Sequence, residues 1–542
     1  MAIFPINSFS NQATDSLPEE EKIKMAKYKK FDYRQSRLLP VSFHKQIQPG
    51  TFEYTLSYLI DNKVDLSCFE ELFKNDETGA PAYNPVILLK IILFAYSRGI
   101  VSSRDIAKAC EENVVFMALS ADTKPHFTTI SNFVSGMKDQ INDIFTDVLL
   151  YCNQIGLIGK SMFAIDGCKM PSNASKEWSG TRKSFKKKKG KMEKAVSYIL
   201  NKHRTTDSND CESNIRDQER RYIETVEKSI KKIESFLKTE KDKIGKSGNP
   251  INSNITDNES AKMKTSKGVI QGYDGVAAVD DKHQVIVHAE AFGKAQENDL
   301  LEPMIEGVND NFKSIGFKGD ITKRAQITAD AGFHSEANMK MLAEKNIDAY
   351  IADTQFRKRD PKFANADRYK ERTRKERAAR DGSSVTFRTK DFKFADDLSH
   401  CICPAGIRLW RSGSGVYTKG KHNVRFRGPD YACPQCKLRS KCLRNPAGNG
   451  TRQVAYFTGK TKGGTATYTK LMKEKIDSEK GRAIYSKRIG TVEPVFGNIR
   501  HTLKLNRFTM RGTRKVNTQW KLFSIVHNML KIHRFGPVFD SG

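Results

Sequence analysis

Three acidic side chains occupy positions from which they could share a metal ion. Asp166 and Asp330 each close a short apolar run of the sequence, and Glu493 lies in a stretch with helical periodicity. A short apolar run predicts a buried strand, so two strands that end in Asp can bring both carboxylates to one edge of a sheet. A helix that crosses this edge can then lay Glu493 beside them.

The chemistry open to three such carboxylates depends on divalent cations. Mg²⁺ takes oxygen ligands and keeps water and substrate phosphate in its remaining positions. Two such ions about 4 Å apart activate an attacking water or 3′-hydroxyl and stabilise the leaving oxygen of an in-line displacement. Without metal, the carboxylates would repel one another and raise their own pKa values. The structural alternative is that Asp is common at strand ends because it initiates turns.

The charge of the chain indicates a polyanionic partner. Its 542 residues include 93 Lys and Arg against 63 Asp and Glu, which gives a formal net charge of +30 at pH 7. Each Lys or Arg that neutralises a phosphate releases a condensed counterion, so this charge favours binding to nucleic acid. A ribosome-associated or merely basic protein is the alternative, and charge alone says nothing about chemistry.

The sequence predicts a cytosolic protein. No run of about 18 apolar residues is present, so no membrane span is expected. The N-terminus lacks the charged start and long apolar centre of a signal peptide. Thiols stay reduced in the cytosol, so clustered cysteines are better explained by metal binding than by disulfides.

Half of the ten cysteines lie in one region, from Cys401 to Cys442. Cys403, Cys433, Cys436 and Cys442 supply four thiolates, a set that suits a tetrahedral structural Zn²⁺. Cys401 is the alternative to Cys403, and free thiols are the alternative to zinc. Four thiolates leave no open coordination position, so we expect no catalytic role for this zinc.

The periodicity predicts an α/β fold with a mixed sheet and covering helices. Its helical N-terminal domain is a DNA-binding candidate, with a purely structural bundle as the alternative. The predicted segments are an N-terminal arm at 1–50, the all-helical domain at 51–157, the first part of the core at 158–354 with a basic insert at 177–262, a basic and irregular insertion with the cysteine cluster at 355–480, and the C-terminal helices of the core at 481–542.

Within these segments, apolar spacing predicts individual elements. The insert carries an amphipathic helical arm, with an apolar seam that runs from Ile223 to Leu237 at 3-4-3-4 spacing. The core is predicted to contain a hairpin of strands 272–280 and 284–290, a helix at 298–308, a strand at 325–330, a helix at 335–345, a strand at 348–352 and helices at 492–503 and 516–533.

Several local motifs, in order, resemble those of a known family, the DDE transposases of bacterial insertion sequences. Residues 163–175 resemble the first-Asp motif of that family, 272–280 its following strand and 328–334 its second-Asp motif. Residues 485–488 and 492–500 resemble its terminal Tyr-Arg-Glu-Lys signature. The stretch 85–133 is similar to the helical N-terminal domain of one branch, and the likeness covers roughly residues 35–535.

The resemblance implies an RNase H-like catalytic core with a zinc-binding insertion, dependent on two Mg²⁺ or Mn²⁺ ions. Asp166, Asp330 and Glu493 match the metal-binding triad of the family, while Tyr485 and Arg488 match signature residues that contact DNA. Arg500 stands where Lys is usual, and Arg488 lies one residue further from Glu493 than in the usual motif.

The same resemblance implies a substrate and a set of partners. The expected activity is hydrolysis at transposon ends followed by strand transfer into target DNA, so both partners are double-stranded DNA. Because both ends must be handled together, we expect a homodimer in the DNA complex, associated with the nucleoid. Two alternatives remain at this point: a catalytically retired DNA-binding protein derived from a transposase, and a related metal-dependent nuclease that lacks strand transfer.

Overall fold

A central sheet of six strands forms the middle of this computed structural model. The structure describes residues 42–72, 81–205, 213–245, 248–266, 268–363, 372–373, 376, 379, 386–418, 421–443, 445–459 and 468–539. The strands of the sheet are β1 (Met162–Pro171), β6 (Ala261–Thr265), β7 (Gly268–Asp280), β8 (Ile286–Phe292), β9 (Gln326–Ala329) and β10 (Ala349–Ile351). Their order is β10-β9-β1-β7-β6, and β8 also pairs with β7.

Strand β1 has a parallel neighbour on one side and an antiparallel neighbour on the other. This strand runs antiparallel to β7 and parallel to β9, and β9 runs parallel to β10. The predicted hairpin is confirmed, because β7 and β8 pair antiparallel on either side of a short turn. The strands predicted at 325–330 and 348–352 are likewise present as β9 and β10.

The expectation that the first core strand ends on Asp166 was wrong. Strand β1 continues to Pro171, because β7 is long enough to pair with it over its full length. The short strand β9 pairs only as far as Ile165, opposite Ala329. Asp166 therefore lies where the parallel pairing stops rather than where the strand stops.

Helices cover the sheet and build the N-terminal part of the chain. The N-terminal helices are α1 (Phe52–Asn62), α2 (Pro85–Ser97), α3 (Ser103–Glu112), α4 (Val114–Leu119), α5 (Phe127–Gly136) and α6 (Ile141–Gln154). The later ones are α7 (Arg182–Thr205), α8 (Ser213–Thr239), α9 (Leu301–Ser314), α10 (Glu336–Glu344), α11 (Phe356–Arg359), α12 (Arg439–Cys442), α13 (Tyr468–Asp477), α14 (Glu479–Gly497) and α15 (Thr513–Phe535). Within the described ranges, no helix is both long and apolar enough to cross a membrane.

Helix α15 joins the N-terminal helices to the sheet. Its Phe523 stacks on Tyr96 of α2 with ring centroids 4.4 Å apart, and its Trp520 is fully buried. A Cβ atom at Gly275 of β7 would lie 3.1 Å from the Trp520 ring, so the absence of a side chain there lets the indole approach the sheet. The Asn528 amide pairs with both the N–H and the C=O of Ile286, which satisfies backbone groups of β8.

The basic insert folds as a helical arm of two paired helices. The seam predicted between 223 and 237 lies on α8, with Val226 and Ile233 buried. Its partner α7 is rich in lysine and was not predicted as a helix. The two helices share an apolar cluster with Phe185, Ile233 and Phe236 at its centre.

The region predicted to be irregular contains a second sheet. Five strands, β11 (Lys393–Phe394), β12 (His400–Ile402), β13 (Arg408–Thr418), β14 (Lys421–Arg427) and β15 (Gln453–Gly459), pair in sequence order. Every pairing is antiparallel. The prediction of an irregular region was wrong because the strands are rich in Arg and Lys and contain few apolar residues. Those few form a small cluster, which includes Leu409, Val424 and Phe426. Four short strands flank the two helices of the arm: β2 (Ser179–Gly180), β3 (Lys243–Ile244), β4 (Pro250–Ile251) and β5 (Ser253–Asn254).

Candidate active site

Asp166 and Asp330 lie side by side where the parallel pairing between β1 and β9 stops. The last residues that these two strands pair with each other are Ile165 and Ala329, and each Asp follows directly. Asp330 also caps a short 3-10 turn, because its carboxylate accepts a hydrogen bond from the N–H of Gly332 at 2.8 Å. Parallel pairing therefore brings together two carboxylates that are 164 positions apart in the sequence (330 − 166).

Burial and a neighbouring negative charge raise the pKa values of both carboxylates. The pKa of Asp166 is raised to about 6, mainly by burial and also by the charge of Asp330, while the charge of Arg488 opposes the rise. Burial also raises the pKa of Asp330, with a contribution from Glu297, and the N–H of Gly332 opposes this. Such a pair holds two negative charges only if a positive charge lies near.

In this structure that positive charge is Arg488. Its Nη1 donates a hydrogen bond to Oδ2 of Asp166 at 2.7 Å, and its side chain is almost fully buried. Tyr485 lies one turn earlier on α14, and its ring centre is 5.6 Å from the guanidinium of Arg488. Burial raises the pKa of Tyr485, and the charges of both Asp166 and Asp330 contribute. Two predicted signature residues therefore face the two carboxylates.

Glu493 lies on the same helix but stands apart from this pair. Its side chain is exposed, and within the described residues its carboxylate takes part in no hydrogen bond or ion pair. Nor do any three His, Cys, Asp or Glu side chains of the described segments come close enough together to hold a metal ion as they stand. The structure thus brings Asp166 and Asp330 together, and it does not join Glu493 to them.

The helix around Glu493 has an unusual backbone. Pro494 follows directly and has no N–H to donate to the C=O of Gly490. The side chain of Gln284 donates to that carbonyl instead, at 2.8 Å. Beyond α14 the chain continues as a π-helical turn, Asn498–Thr502, which contains Arg500. Such turns are frequent at functional sites.

Arg500 contacts strand β1 at Cys168, two residues beyond Asp166. Burial raises the pKa of Cys168 to about 11, and the charge of Arg500 together with a hydrogen bond from it opposes this rise. Residues 166 and 168 alternate with 167 and therefore share one side of β1. The position of Arg500, where the family usually has Lys, thus lies against the same side of the strand as Asp166.

Sequence reasoning missed three charged residues at this site. Lys169 pairs with Glu297 at 2.6 Å, and Glu297 rests on the turn that Asp330 caps. A Cβ atom at Gly332 would collide with Oε2 of Glu297 and lie 3.0 Å from Oδ1 of Asp330. Asp274 of β7 faces Lys169 in the strand register and is fully buried.

Asp274 has an environment that strongly favours its protonated form. Burial, followed by the charge of Glu297, raises its pKa to about 8, while Lys169 lowers it. Neither carboxylate oxygen of Asp274 accepts a hydrogen bond from an N–H or O–H group of the described residues. A protonated Asp274 can instead share its proton with Glu297. The signal that sequence reasoning passed over was the Asp near the start of the otherwise apolar stretch 272–279.

The four cysteines predicted to bind zinc line one small cavity beside the second sheet. Cys403, Cys433, Cys436 and Cys442 lie around a space of about 20 Å³, which has room for roughly one water-sized particle. Cys401 does not line this cavity and is fully buried in the apolar cluster of the second sheet. The four thiols share a cavity, although their spacing is not that of a closed metal site.

Two regions of the chain match known protein families. Residues 402–533 match a family model described as a transposase DDE domain. The matched region includes Tyr485, Arg488 and Glu493. Residues 41–136 match one described as a transposase domain (DUF772), which spans α1 to α5. No curated protein matches the chain.

Proposed function

We propose that this chain, which its two matched domains identify as a DDE-type transposase of insertion sequences, binds the terminal repeats of such an element and catalyses DNA strand cleavage and strand transfer. The observation that carries the proposal is that Asp166 and Asp330 lie side by side, each directly after the last residue that β1 and β9 pair with each other. A sheet order of β8-β7-β1-β9-β10, antiparallel on one side of β1 and parallel on the other, supports an RNase H-like core.

Asp166, Asp330 and Glu493 are the residues that would hold two Mg²⁺ or Mn²⁺ ions. The donor set fits, because all three supply carboxylate oxygens and because Asp166 and Asp330 already require a neighbouring positive charge. Glu493 is exposed and unpaired among the described residues, so its carboxylate is available. The metals would supply charge neutralisation and an activated water or 3′-hydroxyl for an in-line displacement at phosphorus.

The residues of the chain itself position the DNA for two successive displacements. First, water cleaves the phosphodiester at the end of the element and leaves a 3′-hydroxyl, which then attacks target DNA in the same site. Arg488 and Arg500 can hold phosphate oxygens through planar guanidinium groups, while Tyr485 keeps Arg488 in place. No covalent link between protein and DNA forms, so no Ser or Tyr acts as nucleophile.

The partners and location follow from this activity. Double-stranded DNA, both transposon ends and target, is the proposed partner, and the helical N-terminal segment and the basic insertions are the proposed contact regions. The formal charge of +30 supports this assignment. A homodimer would handle the two ends together, and the protein would act in the cytoplasm at the nucleoid.

A structural Zn²⁺ is proposed for the cysteines of the second sheet. The donor chemistry fits, since four thiols surround one cavity. Burial raises the pKa of the Cys442 thiol, and the charge of Arg452 opposes this rise. Binding would require the thiols to draw closer than they lie in this structure. The ion would stabilise the fold of the insertion and take no part in DNA cleavage.

The test uses a plasmid that carries the two flanks of the coding region. With Mg²⁺, the wild-type protein should nick the flanks and join a pre-cleaved end to a second plasmid. Asp330→Asn should bind the same DNA and release no product. Cleavage without joined species would identify a nuclease, and binding without cleavage by the wild type would identify a retired DNA-binding protein.

A further inference from the structure

Helix α7 presents two opposite faces. Phe185, Met192 and Val196 lie on the face that packs toward α8, with Phe185 and Phe236 ring centroids 5.4 Å apart. Lys183, Lys187, Lys191 and Lys194 recur at spacings of four, four and three residues, which places them within about 80° on the opposite face. These four residues are referred to as the α7 lysine row, and all four are exposed.

Other lysines of the same helix are engaged with the protein. Lys189 pairs with Glu234 of α8 at 2.7 Å and with Glu193 at 3.3 Å. Lys188 lies 4.1 Å from the centre of the Trp178 ring and donates to the C=O of Glu177. By contrast, the α7 lysine row makes no ion pair with any residue that the structure describes. Lysines at the sides of the helix thus contact other parts of the arm, whereas those on the outer face form no ion pair among the described residues.

The charge of the arm is concentrated on this helix. Helix α7 contains ten Lys and Arg residues against one Glu, whereas α8 contains seven Lys and Arg against five Asp and Glu. Four like charges along one face repel each other, so the row costs folding free energy at low salt. A row of this kind is stabilised when a polyanion lies along it.

The arm is anchored to the catalytic sheet at its base. Strand β2 (Ser179–Gly180), just before α7, pairs with β5 (Ser253–Asn254), beyond the return of α8. The hydroxyl of Ser179 donates to Gln271 of β7 at 2.7 Å, and β7 is the neighbour of β1, which carries Asp166. Helix α7 therefore starts from a fixed position on the sheet that holds the candidate active site.

We propose that the α7 lysine row binds the phosphate backbone of the DNA duplex that the active site processes. This inference rests on the proposed function only in taking duplex DNA as the substrate. The row spans 11 positions (194 − 183), or about 16 Å along the helix axis. Ammonium groups contact phosphates as point charges, so the row contributes affinity and salt dependence and leaves sequence unread.

The experiment compares two variants of the full-length protein that lose the same charge. In one, the α7 lysine row is changed by Lys183→Gln, Lys187→Gln, Lys191→Gln and Lys194→Gln. In the matched control, four lysines of α8 with acidic neighbours are changed by Lys228→Gln, Lys231→Gln, Lys232→Gln and Lys238→Gln. Fluorescence anisotropy then measures binding to a labelled duplex of about 30 base pairs across a range of salt concentrations. Circular dichroism melting checks that both variants fold.

The row variant should bind more weakly and with a smaller salt dependence. Four lost phosphate contacts reduce the slope of log K against log salt by about 3 to 4, while the control changes it by less than about 1. Equal changes of the slope in the two variants would show that only net charge matters, and this would overturn the proposal. A row variant whose slope is unchanged would overturn it as well.

A second readout separates this inference from the proposed function. If the wild type cleaves the flanking DNA while the row variant keeps its full salt slope, the function stands and the contact does not. If the wild type fails to cleave and the row variant still loses the slope, the contact stands without the activity.

Discussion

Arg488 donates a hydrogen bond to Asp166 across 322 positions of sequence, and this contact neutralises one of two adjacent half-buried carboxylates. The guanidinium is itself almost fully buried, so the pair is shielded from solvent. Removing one partner of a buried pair leaves an uncompensated charge, which is strongly unfavourable. Arg488 therefore stabilises the folded site and also keeps Asp166 in its negatively charged form.

Replacement of Arg488 by Gln should shift the pH dependence of cleavage. The guanidinium lowers the pKa of Asp166, so its loss raises that pKa above the value of about 6. A larger fraction of Asp166 is then protonated near neutral pH and cannot bind a cation. We expect the acidic limb of the rate profile to move to higher pH, measured as initial nicking rate between about pH 6 and 9. Arg482→Gln, on the same helix, serves as the control, and an equal displacement in both variants would contradict the assignment.

Glu493→Gln should abolish cleavage without loss of stability. The side chain is exposed and unpaired among the described residues, so the fold does not depend on its charge. In its proposed role as a metal ligand it would supply several kcal/mol of transition-state stabilisation, so its loss should lower the rate at least about 100-fold. Nicking assays and thermal melting measure the two effects. Glu479→Gln, at the exposed start of the same helix, should change neither, and an active Glu493→Gln variant would remove this residue from the triad.

Gly332→Ala should impair cleavage through the position of two carboxylates. The added methyl group would collide with Glu297 and crowd Asp330, so the turn or both side chains must shift. Misplacement of catalytic groups by about 1 Å costs about 100-fold in rate. The control is Gly497→Ala on α14, where an added Cβ meets no atom within 4 Å. Equal nicking rates for the two variants would show that the crowding is absorbed without effect.

Asp274→Asn should stabilise the protein at alkaline pH. The pKa of Asp274 is raised from 3.8 to about 8 in the folded state, so folding binds a proton that the unfolded chain releases. Stability contributed by this group therefore falls as pH rises from about 4 to 8. Because Asn resembles the protonated acid, the variant avoids that loss. Melting temperatures should differ most at pH 9 and least near pH 5, and a constant difference would contradict the shift.

Zinc content should depend on Cys436 and not on Cys401. Cys436 lines the shared cavity, whereas Cys401 lies in the apolar cluster of the second sheet. Elemental analysis of the purified wild type should find one zinc per chain, and Cys436→Ser should lower this strongly. Cys401→Ser should lower the melting temperature and retain the metal. Wild-type protein that contains no zinc after purification without chelators would leave the cavity as a site of free thiols.

Much of the fold could be predicted from local patterns. The hairpin of β7 and β8, the strands β9 and β10 and the N-terminal helices follow from apolar spacing, because each pattern reports which side of an element is buried. The five-stranded sheet could not be predicted in this way. Its apolar residues are few and separated by loops, so only pairing between distant strands makes them a core.

The sequence by itself determined the chemistry that is available: three carboxylates in strand or helix context, a set of four cysteines and an excess of positive charge. Tertiary structure alone decided which of these groups meet. It joined Arg488 to Asp166, brought Lys169, Asp274 and Glu297 to the same place, and left Glu493 exposed. The physical reason is that residue type and spacing act over a few positions, whereas pKa values and ion pairs depend on neighbours that only the folded chain supplies.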